Sequence, residues 1–170
     1  MLGKYKVLKN RYCYLQFTTN QVIMKAQTYL LTIIVLIFAA CSGTKPTDIG
    51  IKNGQFKACP SSPNCISTQA ADDDSQHKMS PMTYTGTMEA AKTKLLKIIN
   101  DMERTVITEK AGNYIHSEFM SKTMKFVDDV EFYFDDANKA IHFRSASRKG
   151  HSDLGVNRKR MEAIVAAFNK

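Results

Sequence analysis

The pattern of the chain predicts an α+β domain of two layers, a single antiparallel meandering sheet of about four to five strands covered on one face by two helices. Three observations carry this expectation. Apolar residues recur at helical spacing between Met88 and Glu103. The period falls to two between Arg104 and Arg148, and helical spacing returns at Met161, Ile164, Val165 and Phe168.

The first helix is read from Met88, Ala91, Leu95, Ile98, Ile99 and Met102, which form one buried stripe. Thr87 is the expected N-cap, and Glu89 suits the positive end of the helix dipole. Strands follow at Thr105 to Glu109, Tyr114 to Ser121, Val127 to Asp135 and Ala140 to Ser147. Ala111-Gly112-Asn113 and Asp136-Ala137-Asn138-Lys139 are turns. Parity then sorts the side chains. Ile115, Phe119, Val130, Phe132, Phe134, Ile141 and Phe143 share one face, and His116, Glu118, Asp129, Glu131, Tyr133, His142 and Arg144 share the other. An antiparallel sheet with one apolar side needs a cover, supplied by the first helix and a last one from about Leu154. The polar side is expected to be a wetted surface of cross-strand pairs.

Upstream of the domain the chain reads as an address. Met24-Lys25 precedes the apolar run from Tyr29 to Phe38, and Ala39-Ala40-Cys41-Ser42 follows. A basic start, an apolar stretch and small residues before a Cys resemble the signal peptide and lipobox of bacterial lipoproteins, with Phe38 where such boxes usually carry Leu. Cys41 would then be acylated and become the mature N-terminus. Residues 24–40 are the expected signal peptide, and 1–23 an upstream extension from a mis-assigned start. Residues 41–55 are the expected lipidated N-terminus and tether, and 56–170 the single domain. Palmitate at Cys41 would be the membrane anchor, since two or more acyl chains hold a protein where one does not.

The 170-residue chain carries 24 Lys and Arg against 16 Asp and Glu, a net charge of +8 that suggests nucleic acid. Five of those cations and no acid lie in residues 1–40, which leaves 19 against 16, or +3, for the rest. No dense basic stripe survives, so no nucleic-acid partner is expected.

Export also changes the reading of the thiols. Cys59-Pro-Ser-Ser-Pro-Asn-Cys65 is expected to close a structural disulfide in an oxidising compartment, with a reactive or free pair as the alternative. Its spacing is neither Cys-x-x-Cys nor a zinc set. The acid run Asp72-Asp73-Asp74 reads as a solvated loop.

The densest polar stretch links the last strand to the last helix, with Arg144-Ser-x-Ser-Arg148-x-Gly150-x-Ser152-Asp153-x-Gly155-x-Asn157-Arg158-x-Arg160. Together with Cys59-Pro60, Ser62-Pro63-Asn64-Cys65, Gln69 and Val127-Asp-Asp-Val-Glu131, it resembles the domain-of-unknown-function family numbered 1499, found in bacterial lipoproteins and some plant plastid proteins. The resemblance spans about residues 56 to 168. It implies the domain boundary but no activity or substrate.

Two readings of the Arg cluster stay open. Asp128, Asp129, Glu131 and Asp153 could pair with Arg144, Arg148 and Arg158, pinning the last helix to the sheet. Alternatively Arg144, Ser147, Arg148, Ser152 and Arg158, with helix N-terminal amides near Gly150 to Asp153, would cradle a phosphate, sulfate or carboxylate. No nucleophile elbow, glycine-rich phosphate loop or His-Glu-x-x-His occurs. A metal at His116, Glu118, Glu131 and His142, or a Ser147, His116 and Asp129 triad, can be drawn but has no spacing signature. No metal and no cofactor are expected, and no catalytic residue is assigned. The expectation is an envelope lipoprotein, in the outer membrane facing the periplasm. Its domain binds a small anion or an envelope protein, with a periplasmic enzyme acting on an anionic small molecule as the alternative.

Overall fold

Alternation from Arg104 onward becomes an open antiparallel sheet, seen in a computed structural model that describes residues 24, 25, 27–29 and 43–170. Cys41, the residue expected to be acylated, the extension 1–23 and the run 30–40 lie outside the described residues. The chain divides into residues 1–40 and 41–170. In the first unit, residues 24, 25 and 27–29 are helical, and among the described residues no helix is long and apolar enough to cross a membrane.

The second unit contains β1 (Cys65–Ser67), β2 (Met82–Thr83), α1 (Met88–Asn100), β3 (Thr105–Ala111), β4 (Tyr114–Met120), β5 (Val127–Asp135), β6 (Ala140–Ser147) and α2 (Val156–Phe168). Strands β3 to β6 form the expected meander, and the outer edge of β6 is shared by β1 and β2, making six strands. The two extra strands are the correction to the sequence reading. They have three residues and two, too few for a period of two to show itself.

Helix α1 starts where expected, with the Thr87 hydroxyl accepting the Ala90 N–H at 3.2 Å. It ends at Asp101, and Arg104 at φ 57° swings the chain into β3. Its buried Ala91, Leu95 and Ile99 share one core with Met161, Ile164 and Phe168 of α2 and with Ile115, Val130, Phe132, Phe134, Ile141 and Phe143 of the sheet. Each large side chain fully buried there contributes about 1.5–3 kcal/mol. Between β3 and β4 the register shifts at Ile107/Glu109, a bulge that leaves Thr108 outside the paired register.

Candidate functional site

The polar face of the sheet is not wetted at its centre. His116 and Glu131 are fully buried, Asp129 is 2% exposed and Arg144 5%. The cover is the segment expected to be a tether. Gly50 N–H donates to Glu131 Oε1 at 2.7 Å, and Pro46, Asp48 and Ile49 line a cavity with Asp129 and Arg144. At least from Pro46 onward, then, the stretch leading to β1 packs on the sheet. It has few apolar residues because it covers charged groups, and its polar composition reads as linker for that reason.

Under this cover the acids and bases are matched in two adjoining groups. Glu131 Oε1 accepts from Gly50 N–H and from Tyr114 Oη at 2.8 Å, and Glu131 Oε2 accepts from Arg144 Nη1 at 3.2 Å. Burial, reinforced by the Glu131 charge, pushes the Tyr114 hydroxyl far above its usual pKa. Asp129 accepts from Arg148 Nε at 2.8 Å and Nη2 at 2.7 Å, a fork that uses both carboxylate oxygens, and it also contacts His116 Nε2 at 2.8 Å. Arg148 Nη2 reaches Glu118 Oε1 at 2.5 Å. Burial alone would raise Asp129, but the bonds from Arg148 and His116 outweigh it and hold the carboxyl below its ordinary value. The same bond to Asp129 raises Arg148.

A cavity of about 450 Å³ opens beside these groups, between the cover segment, the Cys59 loop and the end of β6. Arg144 lines it, and Arg144 Nε is a buried side-chain nitrogen with no hydrogen-bond partner among the described residues. At the rim Lys57 Nζ pairs with Asp48 Oδ2 at 2.5 Å. That bond, aided by the charge of Arg144, lowers the Asp48 pKa.

Of the residues expected to meet in one anion cradle, only Arg144, Arg148 and Ser147 border this cavity. The Ser147 hydroxyl is turned to α2 and accepts from Asn157 Nδ2 at 3.0 Å. Ser152 accepts the Leu154 N–H. Arg158 donates instead to the carbonyls of Lys78, Gln76 and Ser75, clamping the loop before β2. The amides at the start of α2 are already occupied, because Asp153 accepts from Gly155 N–H at 3.0 Å and Asn157 N–H at 2.7 Å. Asp153 is thus a helix cap rather than an ion-pair partner, offsetting the cation Arg158 in a first turn that holds no acid.

Asp128 pairs with Arg160 at 2.6 Å, and not with Arg144, Arg148 or Arg158. Asn157, 1% exposed, is the hub of the motif: its amide nitrogen also donates to the Asn64 carbonyl and its amide oxygen accepts from Ser145 and Arg160. Asn64 in turn donates to the Gly150 carbonyl at 2.6 Å. Most of the densest sequence motif therefore ties the disulfide loop, β6 and α2 together. The Cys59–Cys65 disulfide is formed, with Cα atoms 5.7 Å apart. The acid run is only partly free, since Asp74 bonds the buried His77 at 2.7 Å.

The triad drawn from the sequence is also corrected. Ser147 faces the helices while His116 and Asp129 face the cover, so they cannot meet. Instead Thr108, on the bulge, places its hydroxyl 2.5 Å from His116 Nδ1. Sequence reasoning missed Thr108 because an exposed threonine on an edge strand carries no signal of its own; the bulge puts Glu109, not Thr108, out of step. Tyr114 shares the parity of His116 and Glu118 and was legible on that face, whereas the cover residues Asp48, Gly50 and Lys57 were missed because nothing local marks which loop lies over which strand.

A family model described as a protein of unknown function (DUF1499) matches residues 55–168. No curated protein and no solved structure matches the chain.

Proposed function

The chain belongs to this family of unknown function, and from that premise we propose that it is an envelope lipoprotein whose domain binds a small carboxylate or phosphate at Arg144. The observation that carries the reading is the buried guanidinium itself: its side chain is 6% exposed and lines a cavity large enough for a small molecule, one nitrogen is bonded to Glu131, and Nε has no partner among the described residues. Asp48 supports it, since a carboxylate already sits at the rim under the influence of Lys57 and Arg144 and marks where a ligand oxygen would go. Arg148 is forked onto Asp129 and bonded to Glu118, and positions rather than binds. The address rests on the lipobox at Ala39-Ala40-Cys41, and a formed disulfide accords with an exported protein. The test is a thermal-shift series with phosphate, sulfate and small carboxylates. Stabilisation by one of these at millimolar concentration, larger in Asp48→Asn where the competing carboxylate is gone, is the expected result. No shift with any of them in either protein would sink the reading.

One observation favours a second reading, a periplasmic enzyme. Thr108, His116 and Asp129 form a hydroxyl–imidazole–carboxylate chain, with the exposed Thr108 at its outer end. Covalent labelling of Thr108 by an active-site acylating probe, lost in His116→Gln, would favour it over binding alone.

A further inference from the structure

We infer that the end of the sheet around the β4–β5 hairpin docks on the surface of an anionic lipid bilayer. Four large apolar side chains are exposed there: Val106 at 62%, Met120 at 43%, Met124 at 52% and Phe126 at 40%. Val106 lies opposite Glu118 and diagonal to Met120. Met120 pairs with Val127, which brings the hairpin 121–126 beside them. The hairpin is built rather than loose, with Ser121 N–H on the Phe126 carbonyl at 2.8 Å and Phe126 N–H on the Ser121 hydroxyl at 2.9 Å.

Its sequence, Lys122-Thr-Met124-Lys125-Phe126, interleaves cations with apolar groups. Such a tip can place methionine and phenylalanine among acyl chains while the lysines remain at the phosphates. Lys122, Lys125 and the nearby Lys149 are exposed and form no ion pair with any described residue. The acids in the same region are matched elsewhere: Glu103 by Arg104, Glu118 by Arg148 and Asp128 by Arg160. The charge left over is positive, which suits anionic headgroups.

The place where the chain leaves the domain selects the lipid surface over other occupants. Gly43 packs on the start of the β6–α2 link, where a carbon added to it would lie 3.0 Å from Arg148 Cβ and 3.2 Å from Lys149 Cγ. Arg148 N–H in turn bonds the Val127 carbonyl, next to Phe126. Cys41 is two residues before Gly43, and two residues of chain reach about 7 Å. An acyl group there would hold this end of the sheet, and no other, against the bilayer. This last argument rests on the lipobox reading; the patch and its charge do not.

The chain contains no Trp, so a single indole reports depth without interference. The full chain carrying Phe126→Trp, reconstituted in phosphatidylcholine vesicles containing phosphatidylglycerol, is expected to show blue-shifted emission quenched by brominated lipid. Met124→Trp should behave alike. Ala137→Trp, exposed in the turn at the far end of β5, should not. Adding Lys122→Glu and Lys125→Glu to Phe126→Trp should lower the quenching about twofold or more. Equal lipid quenching at positions 126 and 137, or none at 124 and 126, overturns the inference. The mass of the Cys41 peptide from the same sample reports acylation separately. Lipid quenching with Cys41 unmodified would retire the lipobox and keep the docking surface.

Discussion

The two faces of one sheet are both dry at their centres and are built on opposite chemistry. On one, Phe132, Phe143, Ile115 and Ile141 are buried by two helices. On the other, Glu131, Asp129 and Arg144 lie under a segment with almost no regular structure, and His116 is buried beside Asp129. The first face is stabilised by the area it removes from water, and neighbouring side chains can partly relax around a lost one. The second gains little from area. Every charge there must be answered by a partner, and removing one partner leaves the other stranded.

The comparison is broken most sharply by equal truncations on the two faces. Glu131→Ala strands Arg144 and removes the acceptor of Gly50 and Tyr114, with an expected loss of about 3–5 kcal/mol in urea unfolding. Leu95→Ala, on the helical side, is expected to cost about 2–5 kcal/mol. The distinction lies in rescue. Glu131→Leu combined with Arg144→Met should recover much of the loss, whereas no second substitution at a neighbouring charge should help Leu95→Ala. Failure of the rescue would mean that the polar face is held by more than charge matching. Next in size is the disulfide. Reduction of Cys59–Cys65 releases a seven-residue loop and should lower stability by about 2 kcal/mol, read as a shift in the unfolding midpoint.

The smallest effect is the acid limb. Asp129 has a folded pKa below its ordinary 3.8. Its stabilisation is complete above that ordinary value and is lost as pH falls through the folded value. Replacing Arg148 by Met removes the bonds that lower it, so acid unfolding of Arg148→Met should begin at higher pH. An unchanged acid limb would mean that Asp129 is held by His116 alone.

The contrast between the faces also explains what could be read in advance. Long elements were legible because burial against a regular cover imposes a period: β5 and β6 begin and end where alternation places them, and Thr87 caps α1. The ion-pair and anion readings named Arg144, Arg148, Asp129 and Glu131, and these do meet on one face. Which acid takes which base was not legible. Asp128 goes to Arg160 because parity sends it to the helical side, and Asp153 turns back on its own helix. Segment 43–56 was opaque for a different reason: its link to the sheet is a backbone N–H of Gly50, which any residue but proline could supply.

The most direct test of the polar face as an anion site is the side-chain Nε–H resonance of Arg144 in the ¹⁵N-arginine-labelled protein, followed while inorganic phosphate and then acetate are added. The account predicts that this Nε–H moves with saturation, while that of Arg148, already bonded to Asp129, stays nearly still. An Arg144 Nε–H that does not respond to either anion, or that moves no more than Arg148, would contradict it.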